Sequence, residues 1–204
     1  MLAVCAAWAA AVFLDVVVMK TRCVENSLVE WMQFALVAAS GAAMAFRAAR
    51  ERRGRAAYIL ASAFFFDMAI REMDGFLDAI LWHGGWSAVA AAVTLAAFAV
   101  AFGFGWRGTF AEGLLEMRRS QSFQMLAVGL AVILFVSRIM GMKYLWAPLG
   151  DMSGLCFAKR MVEESLELFG YCLVFAWSAG HVFGCGARRP DIWYNNVRRG
   201  KETL

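Results

Sequence analysis

Proline is nearly absent from this chain of 204 residues: it occurs at positions 148 and 190 only, outside every long apolar run. The broken helices that many transporters place near the bilayer midplane are therefore not signalled. Histidine is equally scarce, at His83 and His181. Zinc sites gather several His or Cys ligands, and the sequence puts these two most of a bilayer apart, so neither zinc nor haem is expected. The Glu-x-x-His pattern of di-iron bundles is missing. So are a Gly-x-Ser-x-Gly elbow, a Walker loop and a Gly-x-Gly-x-x-Gly turn after a strand. No internal repeat, low-complexity tract or long linker divides the chain. Charge is sparse as well, at 18% of residues against roughly 25% in soluble domains.

Apolar sequence fills the space these absences leave. Hydrophobic residues make up 62% of the chain and the mean hydropathy is +0.60. The apolar residues form solid blocks near the length of about 20 needed to span a bilayer. They do not alternate as barrel strands do, so helices are the structures expected to satisfy the backbone in lipid. Six blocks stand out: Leu2–Met19, Ser27–Phe46, Ala56–Trp82, Trp86–Gly105, Phe123–Met140 and Met161–Phe183. The expectation is an all-α, polytopic integral membrane protein of about six helices in one bundle, residues 1–184, followed by a basic cytoplasmic tail, residues 185–204. The first block has no base before Lys20 and is interrupted by Asp15, so it reads as a retained helix.

Basic residues collect at one end. Arg47, Arg50, Arg52, Arg53 and Arg55 follow the second block, Arg107, Arg118 and Arg119 the fourth, and Arg188, Arg189, Arg198, Arg199 and Lys201 occupy the tail. The positive-inside rule then places both termini in the cytoplasm, with a bacterial inner membrane as the expected location. The net charge of +4 is on this view a topology signal, and no nucleic-acid partner is expected. Trp82 and Trp86 mark one interface and Trp106 the other; the 20 residues from Trp86 to Trp106 correspond to about 30 Å of helix.

The other end carries 11 of the 16 acids, several inside the apolar blocks. Residues spaced i, i+4 and i+7 share a helix face. Arg22, Asn26, Glu30 and Gln33 make such a stripe, as do Asp67, Arg71, Asp74 and Asp78, and Arg160, Glu164, Glu167 and Tyr171. Charge at that depth faces a bundle interior or a cavity. The second, third and sixth spans are expected to face one another there, with Arg138 added from the fifth. The fourth, whose single mid-span polar residue is Thr94, belongs at the periphery.

Three kinds of role follow for these residues. The deep groups Glu30, Asp67, Glu167 and Tyr171 are the catalytic candidates. Arg22, Asn26, Gln33, Arg71, Arg138 and Arg160 are candidates for holding a polar or phosphorylated ligand. Asp74, Asp78, Glu163 and Glu164 form closely spaced carboxylate sets that suit a hard divalent cation such as Mg²⁺, whose shell a phosphate often completes. The favoured function is an outward-facing carboxylate and arginine pocket for a polar headgroup, lipid-linked, cation-assisted and open to catalysis. Two alternatives stay beside it: a subunit whose charges pair with another membrane protein, and a proton- or cation-coupled transporter. Membrane lipids are expected partners in each. On the same outer side Cys23 and Cys156 are either free thiols or a disulfide.

Overall fold

The computed structural model describes residues 2–19, 27–103, 106–120, 122–150 and 152–183, with the backbone alone at 107 and 152–154. All regular structure among these residues is helical. The helices are α1 (Leu2–Val18, its last turn a π-helix), α2 (Leu28–Arg50), α3 (Arg55–Glu72), α4 (Asp74–Ile80) and α5 (Gly85–Gly103). They continue with α6 (Thr109–Arg119), α7 (Phe123–Met140), α8 (Lys143–Trp146) and α9 (Met152–Phe183).

Four of these, α2, α5, α7 and the stretch Leu155–Phe183 of α9, are long and apolar enough to cross a membrane. The count is four where the sequence blocks suggest six. The first block forms an apolar helix of fewer than 18 residues, and α3 carries Arg55, Asp67, Arg71 and Glu72 within its 18 residues. The third block is also not one helix. It breaks at Met73 (φ −101°, ψ 22°), and α4 restarts from there. The sixth is longer than its apolar block: α9 begins nine residues before Met161, so residues 152–160 are helical too.

Successive long helices alternate in direction. At one end of the bundle, the basic end, Arg47 of α2 reaches the His181 carbonyl of α9 and Trp177 of α9 reaches Ser120 beside α7. At the opposite, acidic end Gln33 of α2 meets Glu164, and Arg138 of α7 meets Glu167. The Asp15 carboxylate of α1 accepts the Leu28 N–H at 2.8 Å, and the Ser27 hydroxyl accepts that of Glu30. Together they cap the start of α2, whose first amides would otherwise lack partners.

Lipid gives no hydrophobic force between helices, so close approach of small residues and interhelical hydrogen bonds hold them. At the α2–α3 contact Ser62 donates to the Gly41 carbonyl at 2.9 Å. At the α7–α9 contact a Cβ on Gly129 would lie 2.8 Å from the Gly170 carbonyl oxygen. Gly129→Leu is therefore expected to separate α7 from α9 and lower the melting temperature of the detergent-solubilised protein by several degrees, a loss of about 2 kcal/mol. A melting curve equal to wild type would refute that reading of the contact. The periphery falls to α5, where only Gly85 and Ala101 are buried.

The large buried side chains Met44, Tyr58, Phe65, Ile133, Tyr171 and Trp177 form the core between α2, α3, α7 and α9. A smaller cluster of Ala11, Val29, Leu168 and Cys172 fixes α1 to α2 and α9, helped by the Trp8 indole donating to the Ser165 carbonyl at 2.7 Å. The amphipathic α6 packs into the bundle through Met117. Its Gly113 sits on the α2–α3 turn, where a Cβ would lie 2.7 Å from the Gly54 carbonyl oxygen.

Candidate functional site

Three helices bring charge together at the acidic end. The last turn of α3 supplies Arg71 and Glu72. From α7 come Ser137 and Arg138, immediately after the π-helical turn Val132–Val136. Such a turn inserts a residue into the helical register, and here both residues that follow it meet Glu167. The first half of α9 supplies Lys159, Arg160, Glu163, Glu164, Glu167 and Tyr171.

Two of the carboxylates are buried and the two guanidiniums beside them are half-exposed. Glu72 (side chain 8% exposed) accepts the Tyr171 hydroxyl at 2.7 Å and Arg71 at 3.2 Å. Glu167 (5% exposed) accepts from Arg138, with the Ser137 hydroxyl 3.1 Å away. That hydroxyl is also 2.7 Å from the Ile133 carbonyl, so its one proton is divided between the two acceptors. Glu163 is 3.5 Å from Arg138 and 3.3 Å from Lys159. The Arg71 and Arg138 side chains, in contrast, are each 42% exposed. A guanidinium has five N–H donors, so both retain donors beyond those given to the carboxylates. Arg160 makes no hydrogen bond among the described residues. It lines a hollow of about 340 Å³ with Cys156, Lys159, Glu163 and Glu164.

Gln33 of α2 closes the layer from beneath. It is fully buried, and its amide nitrogen donates to the Glu164 carbonyl at 3.0 Å and to its carboxylate at 3.1 Å. Its Oε1 has no hydrogen-bond partner among the described residues.

Several expected site residues fall elsewhere. Because the helix breaks at Met73, Asp74 and Asp78 leave the stripe begun by Asp67 and Arg71. Asp74 accepts the N–H of its neighbour Gly75, and Asp78 holds the Gly84 N–H and the exposed His83 ring. Asp67 faces α5 and accepts the Thr94 hydroxyl at 2.5 Å, while its Oδ1 is shut off from solvent without a hydrogen-bond partner among the described residues. Glu30 stands in the first turn of α2, its N–H held by the Ser27 cap. Arg22, Asn26 and Cys23 lie outside the described residues; Cys156 is exposed with a free thiol. Among the described residues no three His, Cys, Asp or Glu side chains assemble as a metal would require.

Two participants were not singled out from sequence. Glu72 is adjacent to Arg71 and so off the i, i+4 stripe, and Ser137 is one hydroxyl in an apolar run. A second polar knot, not singled out from sequence, forms at the basic end. There Arg47 (side chain 15% exposed) reaches Glu116 and the His181 carbonyl, each at 2.5 Å, and Glu51 at 3.2 Å. Its guanidinium lies 5.2 Å over the Tyr58 ring. The His181 imidazole is 3.3 Å from the Tyr58 hydroxyl and stacks on Trp177 at 5.3 Å. His181 is thus part of a packed network.

No protein family, curated protein or solved structure matches this chain. The functional reading rests on the geometry alone.

Proposed function

We propose that the acidic end is an outward-facing intramembrane pocket binding a polar, phosphorylated headgroup, lipid-linked in its natural form. One observation carries the reading: buried carboxylates aim half-exposed arginines. Glu72 holds Arg71, and Glu167 with Glu163 holds Arg138, with each guanidinium keeping donors for another acceptor. Bidentate contact with phosphate is the chemistry these groups do best. Arg160 and Lys159 at the hollow add charge. The buried acids orient the arginines in a setting where either alone would be costly.

In this reading Glu167 and Tyr171 act as positioning groups, since their polar atoms are already engaged with Arg138 and Glu72. A divalent cation at Glu163 and Glu164 would have to displace the Lys159 ammonium and the Gln33 amide. Phosphate recognition is therefore assigned to the bases. Both termini at the basic end complete the proposal, supported by the alternating helix directions and the tight 51–54 turn between α2 and α3.

The test is titration of the detergent-solubilised protein with short-chain phosphatidic acid and, in parallel, with the matching diacylglycerol. Phosphatidic acid should bind, and Arg138→Gln and Arg160→Gln should each weaken it about tenfold, the worth of one charged hydrogen bond. Equal binding of the two lipids, or variants that match wild type, would sink the proposal.

A second reading, proton-coupled transport, has one observation in its favour. Between the two polar knots the hydroxyls of Ser178 and Ser40, both fully buried, lie 3.2 Å apart. Proton flux in proteoliposomes that falls in Ser178→Ala would support it, and a flat wild-type trace would remove it.

A further inference from the structure

The basic end holds an apolar groove, separate from the site above. It runs between α2, α3 and α5 as an open groove of about 460 Å³, within the usual range of about 300–1,000 Å³ for ligand pockets. Small residues open it: Ala45, Ala49, Ala63 and Ala97 line its walls where larger side chains would close it. Along α3 it extends from Arg55 to Phe66, 11 residues or about 16 Å of helix. Half of a hydrocarbon core of roughly 30 Å is about 15 Å. The groove thus has the depth of one leaflet.

Its two ends differ in chemistry. Phe66 lines the end farthest along α3 from Arg55. At the surface end the Arg55 guanidinium stacks 4.9 Å over the Trp106 ring. Arg55 Nε donates to the Ala48 carbonyl at 2.8 Å and Nη2 to that of Ala49 at 3.3 Å. These bonds fix the fork, and Nη1 is left without a hydrogen bond among the described residues. Arg52 and Arg53 stand exposed in the adjoining turn. A slot one leaflet deep, apolar along its length and cationic at its mouth, matches an acyl chain bearing an anionic head. A tryptophan at the mouth suits headgroup depth.

We infer that this groove is a binding site for one anionic phospholipid of the basic-side leaflet, an acyl chain lying along α3 and its phosphate on Arg55. The charge complementarity selects an anionic lipid over a zwitterionic one. Neither the acid-rich pocket nor its ligand is involved.

Native mass spectrometry with long-chain phosphatidylglycerol and, separately, phosphatidylcholine tests it. Wild type should retain one phosphatidylglycerol more than phosphatidylcholine. Ala97→Phe, on the peripheral α5, fills the slot and should lose that one lipid. Arg55→Gln should cut the preference for phosphatidylglycerol about tenfold. Melting curves establish that each variant is folded, and Ala97→Leu replaces Ala97→Phe if the larger ring is not tolerated. Equal retention of the two lipids by wild type, or an unchanged lipid count in a folded groove-filling variant, would overturn the assignment.

Discussion

Arg138→Ala should cost about 3 kcal/mol of stability, because it leaves the Glu167 carboxylate buried without its cation. Glu167 is 5% exposed, and beyond Arg138 its one described partner is a hydroxyl already near the Ile133 carbonyl. The figure sits at the low end for a broken buried pair, since Arg138 itself is 42% exposed and solvent screens part of the loss. The reverse single change, Glu167→Ala, should cost less, for a half-exposed guanidinium regains water. Removing both charges with shape retained, as Arg138→Met with Glu167→Leu, should recover most of the stability. Chemical denaturation in one detergent checks the cycle. Additive losses in the double variant would show that the two side chains do not act as a pair.

The second large effect is expected at Arg47. Its guanidinium joins three elements: the C-terminal carbonyls of α9 through His181, α6 through Glu116, and the Tyr58 face of α3. Arg47→Ala should cost about 2 kcal/mol, the scale of charged hydrogen bonds lost from a largely buried site. The exposed part of the pair with Glu116, a side chain 39% exposed, adds little. Hydrogen exchange locates the effect: amides of α6 and the last turn of α9 should speed up while those of the acidic end hold. Arg47→Lys keeps the charge but cannot fork, so it should recover only part. Uniform acceleration along the chain would indicate global destabilisation and contradict a local knot.

Composition and block length made the helical membrane class legible, because the bilayer demands long apolar runs and internally satisfied backbones. The stripe on the last helix was legible for the same kind of reason. Arg160, Glu164, Glu167 and Tyr171 lie on one uninterrupted helix, so a fixed period holds along it. The stripe on the third block failed past Arg71. Nothing in the Glu72-Met73-Asp74 sequence announces a break, and with the break Asp74 and Asp78 turn to local partners. Glu72 was missed for the converse reason. Its partner Tyr171 is distant in sequence, and a face-by-face pattern weighs only neighbours on one helix. The basic-end knot was hidden by a topology argument: once Arg47 counts as a positive-inside residue, its buried partners are not sought. Periodicity likewise cannot reveal the π-helical turn that precedes Ser137 and Arg138.

In the proposed site, buried carboxylates at the acidic end aim arginines at a phosphorylated ligand. The most direct test measures stability and phosphatidic acid binding on the same preparation of the Arg138→Met, Glu167→Leu protein. The expected result is a protein about as stable as wild type that binds the lipid at least tenfold more weakly. A stable double variant that binds as tightly as wild type would contradict it, and would reduce the cluster to ion pairs that serve packing alone.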